Sequence, residues 1–340
     1  MNKKLHLFYI GSYSHLIIAD AIINEKNIPL DSVVFVTYRG VRLPKCYARN
    51  LLFDESYLSS RMKFFLKNFN RLNKIIKNKN ICGYFPFQQE FPVKKMFSEY
   101  CFFEEGLSAY DTSINYKVFN KKRYLHQEIK NKILSLFLSR NMRGLYYGKT
   151  NGSPFSIDCT LISLTKDAYK NVLIENCKHE VVHFAGKPLN TSTIKDSVII
   201  VMDSTHASDR MVNADNYLQI LADVLKEYDF CARKIYLKLH PDNHKDMDSA
   251  LSVINRYLSF IEYKVIDESL EDIALSNQHN TFISNHSTIL FYAPIYGDTN
   301  VSISYARINA ERDNVYNNWI QRWGGIDGLV ELLKKQVKCL

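Results

Sequence analysis

The sequence predicts an α/β protein with two domains, each built around a parallel β-sheet. Its 340 residues are more than one ordinary domain and fit two of about 150 to 190 residues each. Hydrophobic residues make up 46% of the chain, so each half can bury a core and disorder is not expected. Strand-like and helix-like segments alternate in both halves, which is typical of strand–helix–strand units and a parallel sheet.

The first half opens with an apolar run at residues 4–10 that predicts a strand, and residues 15–25 predict a helix. Residues 32–38 are rich in β-branched side chains and predict a second strand. Residues 61–77 predict an amphipathic helix with its phenylalanines facing inward. A short strand at residues 101–103 ends directly before two glutamates.

A second series of elements begins near Asp196. We place the domain boundary in the polar stretch of residues 186–195, which gives an N-terminal domain of residues 1–188 and a C-terminal domain of residues 189–340. Strands are expected at residues 198–202, 234–239, 263–266 and 281–284, and helices at residues 216–228, 246–258, 270–275, 288–292 and 328–337.

The cysteine pattern and the hydropathy predict a cytoplasmic protein. Seven cysteines are scattered without any C-x-x-C pair, so we expect reduced, buried thiols and no structural disulfide. The first apolar run is broken by His6 and is interpreted as a strand rather than a signal peptide. No apolar stretch approaches the roughly 18 residues of a membrane span.

The charge of the chain is divided unevenly. Residues 1–150 hold 25 Lys and Arg against 11 Asp and Glu, a formal charge of +14, whereas residues 151–340 hold 19 against 24, or −5. The excess is concentrated at residues 61–80 and 117–149. It indicates an anionic partner: nucleic acid, an acidic glycan or an anionic membrane surface. A solvated helix face is the plainer alternative.

The first candidate site is the acid pair Glu104-Glu105, followed by Gly106. A predicted strand ends in the two carboxylates, and the glycine lets the chain turn at once. Two like charges this close make one of them the stronger base, which suits a general base that deprotonates a hydroxyl. A helix N-terminus that carries acids is the alternative interpretation.

The second candidate site lies at the end of the strand predicted at residues 234–239. Lys238 and His240 are two residues apart and point to the same side, and Pro241 stops the strand. Because histidine titrates near neutral pH, His240 beside a lysine could bind and protonate a leaving phosphate. A histidine with no special role is equally compatible with the pattern.

The third candidate site is the hydroxyl pair Ser287-Thr288, preceded by His286, between a predicted strand and a helix. Backbone N–H groups at a helix N-terminus bind phosphate, and Ser and Thr hydroxyls add donors. Between the second and third sites, Glu268 follows another predicted strand, where an acid could hold ribose hydroxyls. An ordinary helix cap is the alternative for the hydroxyl pair.

Three further segments are weaker candidates. Ser204 follows the first strand of the C-terminal domain, and His15, near the first strand of the chain, is a candidate for an acceptor site. Helix capping is the plainer interpretation of both segments. Asp246-Met247-Asp248 is a D-x-D sequence, but it lies at a predicted helix start, where acids are favoured, so no metal site is predicted.

The three sites and their order resemble the motifs of bacterial sialyltransferases with the GT-B fold, the group that includes lipooligosaccharide sialyltransferases and capsular polysialyltransferases. Those families carry a D/E-D/E-G motif, an HP motif and a paired S/T motif. Here the third motif reads Ser287-Thr288, which preserves both hydroxyls. The resemblance implies two Rossmann-like domains facing across a cleft, with the acceptor side in the N-terminal domain and CMP-donor binding in the C-terminal domain.

The resemblance also implies a reaction: inverting transfer of sialic acid from CMP-sialic acid to a hydroxyl of a glycan precursor of lipopolysaccharide O-antigen, lipooligosaccharide or capsule. No cofactor or metal is required, and the acceptor can be lipid-linked at an anionic membrane surface. The implied roles are general base for Glu105, general acid or phosphate partner for His240, and donor binding for Lys238, Pro241, Glu268, Ser287 and Thr288.

Two other functions remain open from the sequence. A GT-B glycosyltransferase with another donor, such as CMP-Kdo or a nucleotide hexose, fits the same motifs. A basic nucleic-acid-binding protein without enzymatic activity fits the charge, although no interleaved aromatic and basic RNA motif is present. We therefore expect a glycosyltransferase that binds no nucleic acid and acts in the cytoplasm or peripherally at the inner face of the plasma membrane.

Overall fold

The computed structural model of the chain describes residues 4–37, 41–54, 80–87, 90–93, 97–110, 146–149, 159–170, 177–183, 188, 190–202, 214–228, 230, 233–240, 247–276, 278–297, 299–333 and 337–340. The chain divides into two compact units, Met1–Ala185 and Gly186–Leu340. The boundary expected from the sequence, after residue 188, lies just beyond this division. Each unit contains a parallel sheet with helices, which confirms the predicted α/β fold class.

The first unit is organised around a parallel sheet of seven described strands in the order β3-β2-β1-β4-β6-β8-β9, and β5 pairs with β7 in a separate antiparallel ribbon. Because all seven strands run the same way, their carboxyl ends meet at one edge. The strands are β1 (Leu5–Ile10), β2 (Val33–Thr37), β3 (Leu51–Asp54), β4 (Ile81–Pro86), β5 (Glu90–Val93), β6 (Glu99–Phe103), β7 (Tyr146–Lys149), β8 (Cys159–Ser163) and β9 (Cys177–Val181).

The first helix, α1 (Tyr13–Glu25), follows β1 directly, and its apolar residues at positions 16–19 and 21–23 are buried, so the helix is enclosed on nearly all sides. Its N-cap is Ser12, whose hydroxyl accepts the backbone N–H of His15. Central residues of the sheet are nearly inaccessible, and the Phe8 and Tyr84 rings stack with their centroids 4.2 Å apart. Burial of this kind stabilises the folded state by about 1.5–3 kcal/mol per large apolar side chain. The packed sheet therefore holds the strand end that carries the acid pair in place.

The expectation of reduced cysteines throughout is wrong for one pair. Cys159 of β8 and Cys177 of β9 lie directly opposite each other, and they form a disulfide with a Cα–Cα distance of 5.0 Å. That separation is ordinary for a disulfide. The sequence could not reveal this pair, because the 18-residue spacing acquires meaning only when the two strands are known to be neighbours in register. Cys82 and Cys101 are free, buried thiols as expected, whereas Cys46 is free but exposed.

The second unit has a parallel sheet of six described strands in the order β12-β11-β10-β13-β14-β15. Its strands are β10 (Val198–Val201), β11 (Ile235–Lys238), β12 (Tyr263–Val265), β13 (Thr281–Ser284), β14 (Val301–Ser304) and β15 (Lys338–Cys339). Its helices are α2 (Ala214–Glu227), α3 (Met247–Leu258), α4 (Leu270–Leu275), α5 (Thr288–Tyr296), α6 (Ala306–Arg312), α7 (Asn314–Trp319) and α8 (Gly325–Leu333).

The elements predicted between residues 198 and 292 agree closely with these bounds, but β14, α6 and α7 were not predicted and the C-terminal helix differs. The helix expected at residues 328–337 is α8, which begins at Gly325 and ends at Leu333. Beyond it, Lys338 pairs with Ile303 of β14, so the chain finishes as an edge strand instead of continuing the helix. The helix predicted at residues 61–77 and most of the basic stretch at residues 117–149 lie outside the described residues.

In the described part of the chain, no helix is both long enough and apolar enough to span a membrane.

The disulfide can be tested by peptide mapping. Digestion of the alkylated protein without reductant should yield a cross-linked peptide pair containing Cys159 and Cys177, because the two strands hold these residues side by side. The pair should separate into two peptides after reduction, as measured by mass spectrometry. Recovery of both cysteines in alkylated form without reduction would contradict the disulfide.

Candidate functional site

In the first unit, the acid pair follows β6 at the carboxyl edge of the sheet, where ligands bind in open parallel sheets. Glu104 is fully buried, and its backbone N–H donates to the carbonyl of Ile162 in β8 at 3.0 Å. Its side chain continues the same connection: the Leu164 N–H donates to Oε1 at 3.2 Å, and the Tyr110 hydroxyl donates to Oε2 at 3.1 Å. Glu104 therefore joins the exits of two strands.

Glu105 has the opposite environment. Its side chain is 22% exposed, and its Oε1 lies 3.7 Å from Nε2 of His15. Gly106 has a φ of +57°, a left-handed conformation that favours glycine, and it begins the 3₁₀ turn Gly106–Tyr110. The turn directs the chain away immediately after the pair, so Glu105 is the acid left accessible at the strand end. Neighbouring acids that look alike in sequence thus have different surroundings.

His15, a weaker candidate from the sequence, lies beside Glu105. It belongs to the first turn of α1 and is 2% exposed. Its backbone N–H takes part in the helix cap, and its ring lies close to the acid pair. The Gly11 N–H donates to its Nδ1 at 3.0 Å, and its ring meets the Phe103 ring edge-on with centroids 5.5 Å apart. The sequence contained no signal for the roles of Gly11 and Tyr110 in this arrangement.

In the second unit, Lys238 is the last residue of β11, and its Nζ donates to the carbonyl of Asp267 at 2.8 Å. Burial lowers the pKa of the Lys238 ammonium, and nearby acids, with Asp267 foremost, oppose that effect. His240 follows two residues later and is half-buried. The ammonium and the imidazole therefore lie at one edge of the sheet, although Pro241 lies outside the described residues.

Ser287 is the N-cap residue of α5, and Thr288 is the first helical residue. Both side chains are partly exposed, and the Ser287 hydroxyl makes no capping bond to its own helix. The two hydroxyls and the helix N-terminus are thus arranged as expected of an anion site. His286, in contrast, is buried: its Nδ1 lies 3.3 Å from the Tyr316 hydroxyl, and its ring is near that of Trp323.

Glu268 follows β12 and is exposed, and its Oε2 accepts a hydrogen bond from the Ser192 hydroxyl at 2.8 Å. Close by, Asn190 donates to both carboxylate oxygens of Asp272, through its backbone N–H at 3.1 Å and its side-chain amide at 2.9 Å. The segment that leads into the second sheet is therefore attached to the acids around α4. Asn190 and Ser192 were not predicted, because they lie in a polar stretch without a distinguishing pattern.

Ser204 and Asp246 lie outside the described residues. Asp248 is in the first turn of α3, the position expected from the helix-start interpretation. Within the ranges that the structure describes, no three His, Cys, Asp or Glu side chains are grouped as a metal site would require.

The two α/β units match solved structures of the GT-B class. A sialyltransferase from the marine bacterium Photobacterium phosphoreum, described as an α/β-galactoside α-2,3-sialyltransferase, aligns with a TM-score of 0.50 and 13% identity, over 100% of this chain and 99% of that one. A UDP-GlcNAc 2-epimerase from Methanocaldococcus jannaschii aligns with a TM-score of 0.51 and 12% identity, over 98% and 93% of the two chains. At these identities the likeness establishes the fold.

The sequence shows to which family the chain belongs. The model of the alpha-2,8-polysialyltransferase family (POLYST) matches residues 57–306, more than half of the chain, and the protein belongs to this family. A comparison with curated protein sequences found no match. The resemblance to bacterial sialyltransferases is thereby confirmed, and the protein is a sialyltransferase. The matched range contains all three motifs.

The contrast between the two acids gives a stability test. Glu104→Ala should lower the free energy of unfolding by about 1–3 kcal/mol, because it leaves the buried Leu164 N–H and the Tyr110 hydroxyl without this acceptor. The matched variant Glu105→Ala should change it by less than about 0.5 kcal/mol, since a partly exposed carboxylate is removed. Thermal and urea denaturation measure both. Equal losses would contradict the distinction.

Proposed function

We propose that the protein transfers sialic acid from CMP-sialic acid to a hydroxyl of a cell-surface glycan precursor, with inversion at the anomeric carbon. The precursor is one of lipopolysaccharide O-antigen, lipooligosaccharide or capsule. The observation that carries the proposal is the family match over residues 57–306, which includes the acid pair, His240 and the Ser287-Thr288 pair. The arrangement of those residues supports a division of labour between the two units.

The donor side of the proposal belongs to the second unit. CMP leaves as a phosphate monoester, and its developing charge can be stabilised by fixed donors: the Lys238 ammonium, the hydroxyls of Ser287 and Thr288, and the N–H groups that begin α5. Glu268, after β12, is the proposed ligand of the ribose hydroxyls. Such donors supply the electrostatic stabilisation directly, so no metal or other cofactor is part of the proposal.

The acceptor side belongs to the first unit. Glu105 removes the proton from the acceptor hydroxyl while the hydroxyl oxygen bonds to the anomeric carbon. The bond between that carbon and the CMP phosphate oxygen breaks with its electron pair leaving on phosphate, and His240 donates a proton to the phosphate or stabilises its charge. A single in-line displacement of this kind gives an α-sialoside from the donor. The accessible carboxylate of Glu105, beside the buried Glu104, supports this assignment.

We also infer that the acceptor is presented at the inner face of the plasma membrane, with a lipid-linked acceptor as one form. The support is the formal charge of +14 in residues 1–150, the part of the chain that holds the proposed acceptor side. An anionic lipid surface or an anionic glycan attracts such a charge.

The reaction can be measured as CMP release. Purified protein with CMP-sialic acid and a mixture of glycan acceptors should release CMP in the presence of EDTA and form a sialylated product. Glu105→Gln should lower the rate by about 10²–10⁴-fold, because it removes the general base. His240→Ala should lower it by about 10²–10³-fold, because the leaving phosphate loses its partner.

The matched control for these variants is His183→Ala, since the His183 side chain is 84% exposed and its Nδ1 lies 3.8 Å from the carboxylate of Glu25, the last residue of α1. It should retain the wild-type rate. Full activity of Glu105→Gln and His240→Ala would overturn the assigned roles. Parallel reactions with CMP-Kdo and nucleotide hexoses identify the donor, and salt-dependent binding of mixed DNA or RNA without turnover of any donor would favour the non-enzymatic alternative.

The lowered pKa of Lys238 predicts a pH dependence of donor binding. A lysine with a lowered pKa loses its proton at a lower pH than usual. As the pH rises, the affinity for CMP should therefore begin to fall at a pH below that at which an ordinary lysine loses its proton. In Lys238→Arg the charge persists, and this decline should be absent. Calorimetric titration of CMP between pH 7 and pH 10 tests this. Identical profiles would show that the Lys238 ammonium does not bind the phosphate.

A further inference from the structure

We propose that His15 is a positioning residue for Glu105: its Nε2–H holds one carboxylate oxygen, so that the other faces the acceptor hydroxyl. The inference rests on the proposed role of Glu105 as the base, and it extends that role to a residue in a different structural element. From the sequence alone, His15 is a candidate only for contact with the acceptor itself.

A backbone hydrogen bond determines the position of the proton on the His15 imidazole. The Gly11 N–H donates to Nδ1 of His15 at 3.0 Å, and a nitrogen that accepts a hydrogen bond cannot carry a proton. A neutral ring therefore carries its proton on Nε2, the nitrogen that lies 3.7 Å from Oε1 of Glu105. The backbone at the end of β1 thus fixes which ring nitrogen is the donor.

The His15 ring and the backbone that carries Glu105 are both anchored. His15 is 2% exposed, its backbone N–H is bound by the Ser12 hydroxyl at 3.2 Å, and its ring lies edge-on to Phe103. Phe103 is in turn the residue directly before the acid pair, and the buried carboxylate of Glu104 ties that strand end to the exit of β8. The ring and the backbone of Glu105 are therefore attached to one rigid sheet, at the ends of β1 and β6.

The distance between Nε2 of His15 and Oε1 of Glu105 is short enough for a small movement to form the hydrogen bond. At 3.7 Å the pair is longer than a direct hydrogen bond, but less than about 1 Å of movement closes it. Hydrogen bonds between catalytic groups are often long in the free enzyme and tighten once substrate is bound. Glu105 is the partly exposed member, so it is the side chain that can rotate toward the fixed imidazole when the acceptor enters.

Two substitutions separate the functions of the ring nitrogens. His15→Asn places a carboxamide oxygen where Nδ1 accepts the Gly11 N–H, but provides no donor toward Glu105. His15→Gln places an amide N–H near the position of Nε2 and keeps that donor. We expect His15→Asn to lower kcat about 10–100-fold with KM for the donor unchanged, and His15→Gln to restore most of the rate.

A double variant tests whether His15 acts through Glu105. In the Glu105→Gln background, where the base is already absent, adding His15→Asn should lower the residual rate less than twofold. If the two losses multiply, His15 acts elsewhere and the inference is wrong. In an active wild-type enzyme, an unchanged kcat for His15→Asn likewise overturns the inference and leaves the proposed function intact, whereas a wild-type enzyme that releases no CMP overturns the proposed function.

A measurement on the protein itself is independent of turnover. In ¹⁵N NMR of histidine-labelled protein at pH 8, His15 should show an unprotonated Nδ1 and a protonated Nε2, and the Nε2 signal should shift in Glu105→Gln. The opposite tautomer, or an Nε2 signal that does not respond to Glu105→Gln, would overturn the inference. His183→Ala serves as the matched control, because its exposed ring should leave the His15 signals unchanged.

Discussion

The proposed acceptor side depends on the buried carboxylate of Glu104. A charged or polar side chain that is fully buried is stable only when its hydrogen bonds are satisfied, and Glu104 satisfies them with the Leu164 N–H and the Tyr110 hydroxyl. These contacts hold the exits of β6 and β8 and the following turn in one arrangement. Glu105, the next residue, stays partly exposed at this strand end. The buried acid therefore holds the strand end from which the proposed base would act on a substrate.

In the second unit, serine hydroxyl groups connect the strand ends, as Glu104 does in the first unit. The Ser284 hydroxyl donates to the carbonyl of Val201 at 2.6 Å, and the Ser304 hydroxyl donates to the carbonyl of Asn285. Together they connect the exits of β10, β13 and β14, directly before Ser287 begins α5. The N-terminus of that helix is consequently held by three strands, which suits a site that must present fixed dipoles to a phosphate without reorganising.

The sequence predicted the α/β class and seven of the thirteen described strands in the two parallel sheets, where the apolar runs are clear; α4 (Leu270–Leu275) and β13 (Thr281–Ser284) have the expected bounds. Pairing between strands is not encoded locally, so the Cys159–Cys177 disulfide was missed. The motifs lie at strand ends, as predicted, but two adjacent glutamates are indistinguishable in sequence. Their difference arises from Tyr110 and Leu164, which approach Glu104 only through the fold, and His15 likewise reaches Glu105 only through the packing of α1.

The attachment of Asn190 and Ser192 to Asp272 and Glu268 has a consequence for how the chain can be divided. The second sheet begins at Val198, yet the residues that precede it complete the hydrogen bonds of a buried acid, Asp272. An isolated second half that started at the first strand would leave this carboxylate without its Asn190 donors. One that started before Asn190 would keep them, so the hydrogen bonds of this buried acid require a stretch that belongs to no helix or strand.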